Sequence, residues 1–215
     1  MDFLERLRAE RAVAILRAAD ADRYVPASLA LYDAGWRAIE ITLTTRGALA
    51  ALSEVRAALP EDALVGAGTV MTPDDVEAVA AAGAAFAVSP ILDLAAVDAA
   101  ARLALPFVPG SLTPTEIVAA WRAGAVAVKV SPVVSVGGAD YLRQVGAFLP
   151  GIPLLPTGGI EPQQIRAYLE AGAVAVGVGG SLLGDALRPG GDVDALRRRA
   201  ADALAPLAAV PATSA

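Results

Sequence analysis

The stretch Thr113-Pro-Thr-Glu-Ile-Val-Ala-Ala-Trp-Arg-Ala-Gly-Ala-Val-Ala-Val-Lys-Val130 contains one complete unit of a helix followed by a strand. Thr113-Pro114 is typical of a helix start, because the fixed φ of proline suits the first helical position. Ala123-Gly124 predicts the helix end, since glycine readily adopts the left-handed conformation that turns the chain back. The apolar run Val126–Val130 then predicts a buried strand.

The same unit recurs along the chain. Ala-Gly pairs end three further predicted helices, at residues 34–35, 82–83 and 171–172. Apolar runs predict eight strands, at Val13–Leu16, Ala38–Thr42, Ala63–Gly66, Ala85–Val88, Pro106–Val108, Val126–Val130, Ile152–Pro156 and Val174–Val178. After a leading helix at Met1–Glu10, periodicity predicts helices at Asp22–Ala34, Thr45–Leu59, Thr72–Ala82, Leu92–Ala101, Thr113–Ala123, Ala139–Phe148, Glu161–Ala171 and Val193–Leu207. This α/β pattern predicts a single-domain (β/α)8 TIM barrel over residues 1–209 with a frayed tail at 210–215.

The composition limits the kinds of partner. Hydrophobic residues make up 56% of the 215 residues and charged residues 19%, which favours heavy burial and an apolar face for self-association. No apolar run reaches the roughly 18 residues of a spanning helix, and Met1–Arg6 has no apolar signal region, so we expect a cytoplasmic protein with no membrane partner. The net charge of −6 argues against nucleic acid, and the one basic cluster, Arg197–Arg199, is interpreted as the solvated face of the last helix.

The chain has no cysteine and no histidine, which excludes thiolate nucleophiles, serine–histidine triads and the usual zinc ligands. Any chemistry must therefore use Glu, Asp, Arg, Lys or Tyr. Of the 17 basic residues, 16 are arginine, and Lys129 is the only lysine. In TIM barrels the chemistry takes place at the carboxyl ends of the strands, so polar residues there are the candidates.

Lys129 lies near the carboxyl end of the sixth predicted strand. Alternation places Ala125, Ala127 and Lys129 on one face of that strand, and Val126 and Val128 on the other. Burial disfavours the charged form of an amine, and a neutral amine attacks a ketone to form an imine. The pattern favours a Schiff-base lysine, and the alternative is a structural ion pair across the barrel interior.

Two further charged residues lie at predicted strand ends. Glu40, near the end of the second strand, is the candidate general acid and base, because a carboxylate in an apolar strand at the active face can exchange protons. A salt bridge with Lys129 or Arg17 is the alternative. Arg17 ends the first strand and could bind a substrate carboxylate through a two-bond fork, or lie exposed on the barrel rim.

Glycine-rich segments follow the third, seventh and eighth predicted strands, at Gly66–Thr69, Thr157–Ile160 and Gly177–Ser181. The loops after strands seven and eight of such barrels commonly bind phosphate through backbone N–H groups. Two such loops together predict a phosphate site. The alternative is tight packing without a ligand.

Taken together, these residues resemble the 2-keto-3-deoxy-6-phosphogluconate (KDPG) aldolases and their 4-hydroxy-2-oxoglutarate (KHG) aldolase relatives. No single matching stretch is specific, whereas their joint occurrence is. The stretches run in order over nearly the whole chain, at Ala14–Arg17, Ile39–Leu43, Val65–Val70, Val88–Pro90, Pro109-Gly110, Val128–Val130, Pro156–Ile160 and Val178–Ser181.

The resemblance implies a class I aldolase that cleaves KDPG, a phosphorylated keto acid, to pyruvate and glyceraldehyde 3-phosphate, with no metal or organic cofactor. It implies Lys129 as the Schiff-base residue and Glu40 as the proton carrier, acting through a water. Thr69 and an arginine would contact the pyruvate carboxylate in a pocket lined by Pro90, and Thr157 would contact a substrate hydroxyl. The phosphate would be held by Gly158, Gly159, Gly180 and Ser181. Members of the family are typically homotrimers, which implies a homotrimer here.

The chain departs from the family pattern at two positions. Many members have an arginine in the loop after the glutamate strand, where this chain has Thr44. Others have it at the end of the first strand, as Arg17 is here. Binding of the pyruvate carboxylate is therefore assigned to Arg17 rather than to Arg46, which falls in the helix after the second strand. The family usually has Phe-Pro two residues after the lysine, and this chain has Ser131-Pro132. A hydroxyl in place of a ring predicts a larger, wetter pocket and an altered substrate range or slower turnover.

The sequence is also compatible with other functions. Among aldolases they are cleavage of the epimer 2-keto-3-deoxy-6-phosphogalactonate or of KHG, although Thr157 favours the gluconate epimer and the glycine loops favour a phosphate. A phosphosugar isomerase or epimerase could use the same barrel, but it would not need a strand lysine, and the lack of histidine disfavours metal-dependent versions. A non-catalytic assembly subunit is the last alternative.

Overall fold

Parallel strands and helices alternate through the computed structural model, which describes residues 1–209; the predicted frayed tail at 210–215 lies outside the described residues. The strands are β1 (Ala12–Leu16), β2 (Ala38–Thr42), β3 (Leu64–Gly68), β4 (Ala87–Val88), β5 (segments Phe107–Val108 and Gly110–Ser111), β6 (Val128–Val130), β7 (Leu154–Pro156) and β8 (Val176–Val178). The helices are α1 (Phe3–Glu10), α2 (Tyr24–Asp33), α3 (Ala48–Ala58), α4 (Pro73–Ala81), α5 (Leu94–Arg102), α6 (Pro114–Arg122), α7 (Gly138–Phe148), α8 (Ile165–Glu170), α9 (Gly180–Leu183) and α10 (Val193–Leu204). Within residues 1–209 no helix is both long enough and apolar enough to cross a membrane.

The strands close on themselves. One parallel ladder runs in the order β5, β4, β3, β2, β1, β8, and the second segment of β5 continues it through β6 to β7. A bridge between Leu154 and Ala173 joins β7 to the residues that lead into β8. The predicted (β/α)8 barrel is therefore confirmed, and the carboxyl ends of its strands meet at one rim.

The core has two layers, one inside the barrel and one between strands and helices. The inner layer comes mainly from the first half of each strand, with Leu7 of α1 packed against it; it includes Val13, Ala38, Leu64, Phe86 and Leu155. The outer layer is larger and includes Leu16, Trp36, Ile39 and Ile41. Because apolar side chains fill the amino-terminal part of the barrel, the polar inner-face residues lie towards the carboxyl-terminal rim.

Capping side chains fix the starts of several helices. Thr72 and Thr113 accept hydrogen bonds from the backbone N–H groups of Asp75 and Glu116, and the carboxylates of Asp75 and Glu116 accept from the backbone N–H groups of the two threonines. Proline occupies the first helical position of both α4 and α6, as the sequence predicts. Each cap stabilises its helix by about 1 kcal/mol.

Three features differ from the sequence expectations. The sequence does not predict α9. The alternation around Lys129 holds only from Ala127 onwards, because the strand begins at Val128; Ala125 packs in the outer layer and Val126 against the inner one. Arg199 is half-buried and donates hydrogen bonds to backbone carbonyls, so Arg197–Arg199 is not a uniformly solvated face.

Candidate active site

Lys129 lies on the inner face of β6 and lines a cavity at the carboxyl-terminal rim. Only 6% of its surface is exposed. Its neighbours in register are Gly110 of β5 and Leu155 of β7. The amine therefore reaches a cavity from a strand that is otherwise buried, the position that the Schiff-base interpretation requires.

The cavity has a volume of about 340 Å³, within the range of small-molecule sites in proteins. It brings together most of the site residues expected from the sequence: Arg17, Lys129, Thr157, Gly158, Gly159, Gly180 and Ser181. These residues come from four different strand ends and loops. Their meeting at one cavity follows from the closed barrel.

Glu40 is fully buried on the inner face of β2 and does not line the cavity. Neither of its carboxylate oxygens has a hydrogen-bond partner among the described residues. Gly68 of β3 provides the space for this carboxyl group, because a Cβ atom at that position would collide with it. The structure thus buries an acidic group whose two oxygens have no partner among the described residues.

Burial raises the pKa of the Glu40 carboxyl above its ordinary value of 4.5, and the positive charges of Lys129 and Arg17 act in the opposite direction. Within residues 1–209 neither cation forms an ion pair with Glu40 inside 4.0 Å, so the salt bridge considered from the sequence does not form. A carboxyl group with a raised pKa and unpaired oxygens is suited to take up and return a proton.

Arg17 and Thr69 come together at the rim. Arg17 follows β1 and is exposed, and its Nη2 lies 3.2 Å from Thr69 Oγ1. Thr69 has a φ of 59°, a left-handed conformation that costs a non-glycine residue roughly 1–3 kcal/mol. This contact brings together Thr69 and the arginine that the resemblance implies at the pyruvate carboxylate. A guanidinium keeps further N–H donors for such a group.

Buried hydroxyl groups hold the backbone just before Arg17. Thr42 Oγ1 donates to the Leu16 carbonyl at 3.0 Å, and the Tyr24 hydroxyl lies 3.2 Å from the same oxygen. Tyr24 also contacts Thr45 Oγ1 at 2.6 Å. Sequence reasoning missed this cluster, because hydroxyls from one strand and two loop or helix segments meet only in the folded barrel.

The loops after β7 and β8 supply backbone groups to the cavity. Gly158 and Gly159 have φ values of 93° and 80°, in the region that favours glycine. Gly180 and Ser181 begin α9, so their N–H groups have no partner within that helix. Ser181 Oγ donates to the Ile160 carbonyl at 3.0 Å and so links the two loops. Free N–H groups from two loops around one cavity suit an anion such as phosphate.

Besides Ser181, two further hydroxyl-bearing residues line the cavity together with Lys129. Thr157 is 2% exposed, and its Oγ1 has no partner in the described part of the chain. Its side chain occupies the space that a Cβ on Gly177 would need. Ser131 follows Lys129 by two residues and is half-buried. A buried hydroxyl without a protein partner favours a ligand that bonds to it.

Pro90 and Arg46 lie outside the cavity. Pro90 is exposed, and its backbone covers Gly110, the β5 neighbour of Lys129. The Arg46 side chain is 82% exposed and pairs with Asp20. The structure therefore places Arg17, and not Arg46, at the cavity.

Glu161 is the one acidic residue among those that line the cavity, and it is not among the site residues expected from the sequence. It directly follows the Thr157–Ile160 glycine segment, so proximity to that segment was the available signal. Its backbone N–H donates to Gln164 Oε1 at 2.9 Å at the start of a 3-10 turn. Its carboxylate offsets part of the positive charge that Lys129 and Arg17 bring to the cavity.

Known proteins match the chain over nearly its whole length. The family described as KDPG and KHG aldolase matches residues 3–198. The KHG/KDPG aldolase of Escherichia coli (strain K12) is 36% identical over 182 residues, 84% of each chain. The 2-dehydro-3-deoxy-6-phosphogalactonate aldolase of the same strain is 33% identical over 171 residues, 79% of this chain and 83% of that one. A solved structure of KDPG aldolase from Legionella pneumophila, with pyruvate captured at low pH as a covalent carbinolamine intermediate, has a TM-score of 0.86 at 26% identity and covers 94% of this chain and 98% of that one.

Proposed function

Because this chain belongs to the KDPG and KHG aldolase family, we propose that it is a class I aldolase, a carbon–carbon lyase that cleaves KDPG to pyruvate and glyceraldehyde 3-phosphate. One observation carries the proposal. The only lysine of the chain is 6% exposed and lines the cavity at the carboxyl-terminal rim, in a barrel that also buries the unpartnered carboxyl of Glu40. The similarity to an aldolase that captures pyruvate covalently supports the same chemistry here.

The proposed cycle uses Lys129 as nucleophile and Glu40 as proton carrier. Lys129 Nζ adds to the C2 ketone, and loss of water gives a protonated imine. Glu40 removes the C4 hydroxyl proton, the C3–C4 bond breaks, and its electron pair moves towards the imine nitrogen to form an enamine. Glyceraldehyde 3-phosphate leaves, Glu40 returns the proton to C3, and water hydrolyses the imine to pyruvate. Since Glu40 does not line the cavity, a water carries the proton between it and the substrate.

The two ends of the substrate are bound by different groups in this proposal. Arg17 and Thr69 hold the carboxylate next to C2, and the loops after β7 and β8 hold the phosphate through the backbone of Gly158, Gly159, Gly180 and Ser181. The unpartnered Thr157 hydroxyl bonds to a substrate hydroxyl between them. Pro90 acts only through Gly110, whose backbone it covers.

The experiment that tests this function measures pyruvate release from KDPG, 2-keto-3-deoxy-6-phosphogalactonate and KHG. We expect the highest kcat/KM with KDPG. The E. coli phosphogalactonate aldolase match makes the galactonate epimer the second candidate. Absence of pyruvate from all three substrates would remove the proposal and leave the isomerase or assembly-subunit alternatives.

Ser131 is proposed to set the substrate range. Replacing it with phenylalanine fills the cavity beside Lys129 and removes a hydroxyl. We expect Ser131→Phe to raise the preference for KDPG over bulkier keto acids by roughly tenfold, the scale of a pocket that gains or loses a few carbon atoms. The measurement is the ratio of kcat/KM values across a panel of keto acids. Ser131→Ala, which removes the hydroxyl without filling space, is the control, and identical profiles for parent and Ser131→Phe would contradict the idea.

A homotrimer is the proposed assembly. Met71, Ile91 and Leu94 follow the adjacent strands β3 and β4, and they are 42%, 47% and 59% exposed. Exposed apolar side chains on one rim favour a protein interface. Native mass spectrometry is expected to give three times the 21.6 kDa mass of the chain. A species of one chain mass at assay concentrations would contradict the trimer.

A further inference from the structure

The one-turn helix α9 depends on the rest of the fold for its position. Its four residues lie between β8 and α10, and a helix of this length is not stable by itself. Leu182 and Leu183 are buried in the outer layer, whereas Gly180 and Ser181 line the active-site cavity. The two leucines anchor one side of the turn in the core, so its polar contacts decide how the cavity-facing side is oriented.

Arg199 of α10 supplies that support. Its Nε donates to the Leu182 carbonyl at 2.9 Å, and its Nη2 donates to the Leu183 carbonyl at 2.7 Å. These carbonyls end the turn and have no partner within it. The Leu182 carbonyl is bound by Arg199, whereas the Leu183 carbonyl also accepts from the backbone N–H of Ala186 at 3.2 Å. Because one planar group makes both bonds, it fixes the orientation of α9 as well as its position. The next residue, Gly184, has no side chain, and a Cβ there would lie 2.6 Å from Nη2.

Little else holds the cavity-facing end of α9. A second cavity of about 380 Å³ is lined by Ser181, Arg199 and Glu161, among others. Ser181 therefore has open space beside it and one side-chain hydrogen bond, to the Ile160 carbonyl. If the bonds from Arg199 are lost, α9 has room to shift.

We propose that Arg199 is a positioning residue that holds Gly180 and Ser181 in place for the phosphate end of the substrate. The inference rests on the proposed aldolase function. Lys129 and Glu40 lie on β6 and β2, so the groups that break the carbon–carbon bond do not depend on α9. Loss of Arg199 should weaken binding of a phosphorylated substrate and leave the chemistry intact.

The test compares KDPG with 2-keto-3-deoxygluconate, which lacks only the phosphate. For Arg199→Gln we expect the KM for KDPG to rise roughly tenfold with kcat little changed. This is smaller than the roughly hundredfold loss of activity that a misplacement of about 1 Å in a substrate-positioning group can cause. The kcat/KM for the unphosphorylated substrate should stay within about twofold of the parent. Arg198→Gln is the matched control, because the Arg198 side chain is 68% exposed and its nearest acidic partner, Asp192, is 3.8 Å away. Arg199→Lys keeps the charge without the two-bond fork and should give a smaller rise in KM.

Each result of this comparison either supports or contradicts the positioning role of Arg199. A parallel loss on both substrates, or no change in the KM for KDPG, would overturn the role of Arg199 and leave the aldolase function standing. A parent enzyme that does not distinguish the two substrates would overturn the phosphate site and the role of Arg199 together. If Arg199→Gln does not fold, the same comparison is made with Arg199→Lys. A KM for KDPG above that of the parent, with no change for the unphosphorylated substrate, would support the proposal, and an unchanged KM would overturn it.

Discussion

Replacement of Lys129 with methionine is expected to lower kcat for KDPG cleavage by at least about 10⁴-fold, the scale seen when an enzyme loses its nucleophile. Without the amine no imine forms, and the electron pair of the C3–C4 bond has no acceptor. Methionine has a similar length and needs no hydrogen bond, so the inner face of β6 should stay packed. The measurement is pyruvate release, with circular dichroism to verify the fold.

Covalent trapping completes this test. Borohydride reduction in the presence of pyruvate should add the mass of one reduced pyruvate to the parent protein and none at that site to Lys129→Met. Since Lys129 is the only lysine, the adduct can lie only there or on the chain's amino terminus, and peptide mapping separates the two. Activity above a tenth of the parent in Lys129→Met, or an adduct confined to the amino terminus, would refute the Schiff-base mechanism.

Hydrophobic periodicity was sufficient to predict the barrel. The predicted strand bounds lie within two residues of the observed ones, except that the second segment of β5, Gly110–Ser111, is not predicted, and most errors are early starts. Val126, Ile152 and Val174 explain this, because each is at least half-buried just before its strand. Val126 and Val174 each donate one backbone hydrogen bond to the neighbouring strand, to Phe107 and Leu154, but the regular pairing begins only two residues later. Apolar character reports burial, whereas a strand boundary depends on hydrogen bonds that the sequence does not display.

The sequence predicts those site residues that lie at the carboxyl ends of strands. Lys129 and Arg17 were found because the carboxyl ends of barrel strands share one rim. The support around them was not predictable in the same way. Arg199 contacts carbonyls 16 and 17 residues earlier, in a turn bounded by glycines that gives no helical period. Its neighbours Arg197 and Arg198 are exposed, and periodicity alone did not separate the three.

Replacement of Glu40 with glutamine is expected to lower kcat by roughly 10²–10⁴-fold, the usual contribution of a general acid and base. The amide fits the space beside Gly68 but cannot accept the C4 hydroxyl proton. Imine formation on Lys129 with pyruvate should survive, because the amine and its cavity are intact. If Glu40→Gln no longer cleaves KDPG but is still labelled by pyruvate and borohydride at Lys129, Glu40 is assigned to the proton transfers. Gly68→Ala, which forces the carboxyl group to move, should also reduce kcat.

The same substitution tests the electrostatics of Glu40 through stability. The pKa of Glu40 is raised by burial from 4.5, so below that pH the carboxyl is protonated in both the folded and the unfolded chain. As the pH rises above 4.5, the unfolded chain releases this proton while the folded chain keeps it, and the parent loses stability until the folded pKa is passed. Glutamine carries no such penalty, so the Tm of Glu40→Gln minus that of the parent should grow as the pH rises from 4.5. If that difference instead falls with pH, Lys129 and Arg17 stabilise the carboxylate more than burial disfavours it, and the pKa of Glu40 is lowered rather than raised.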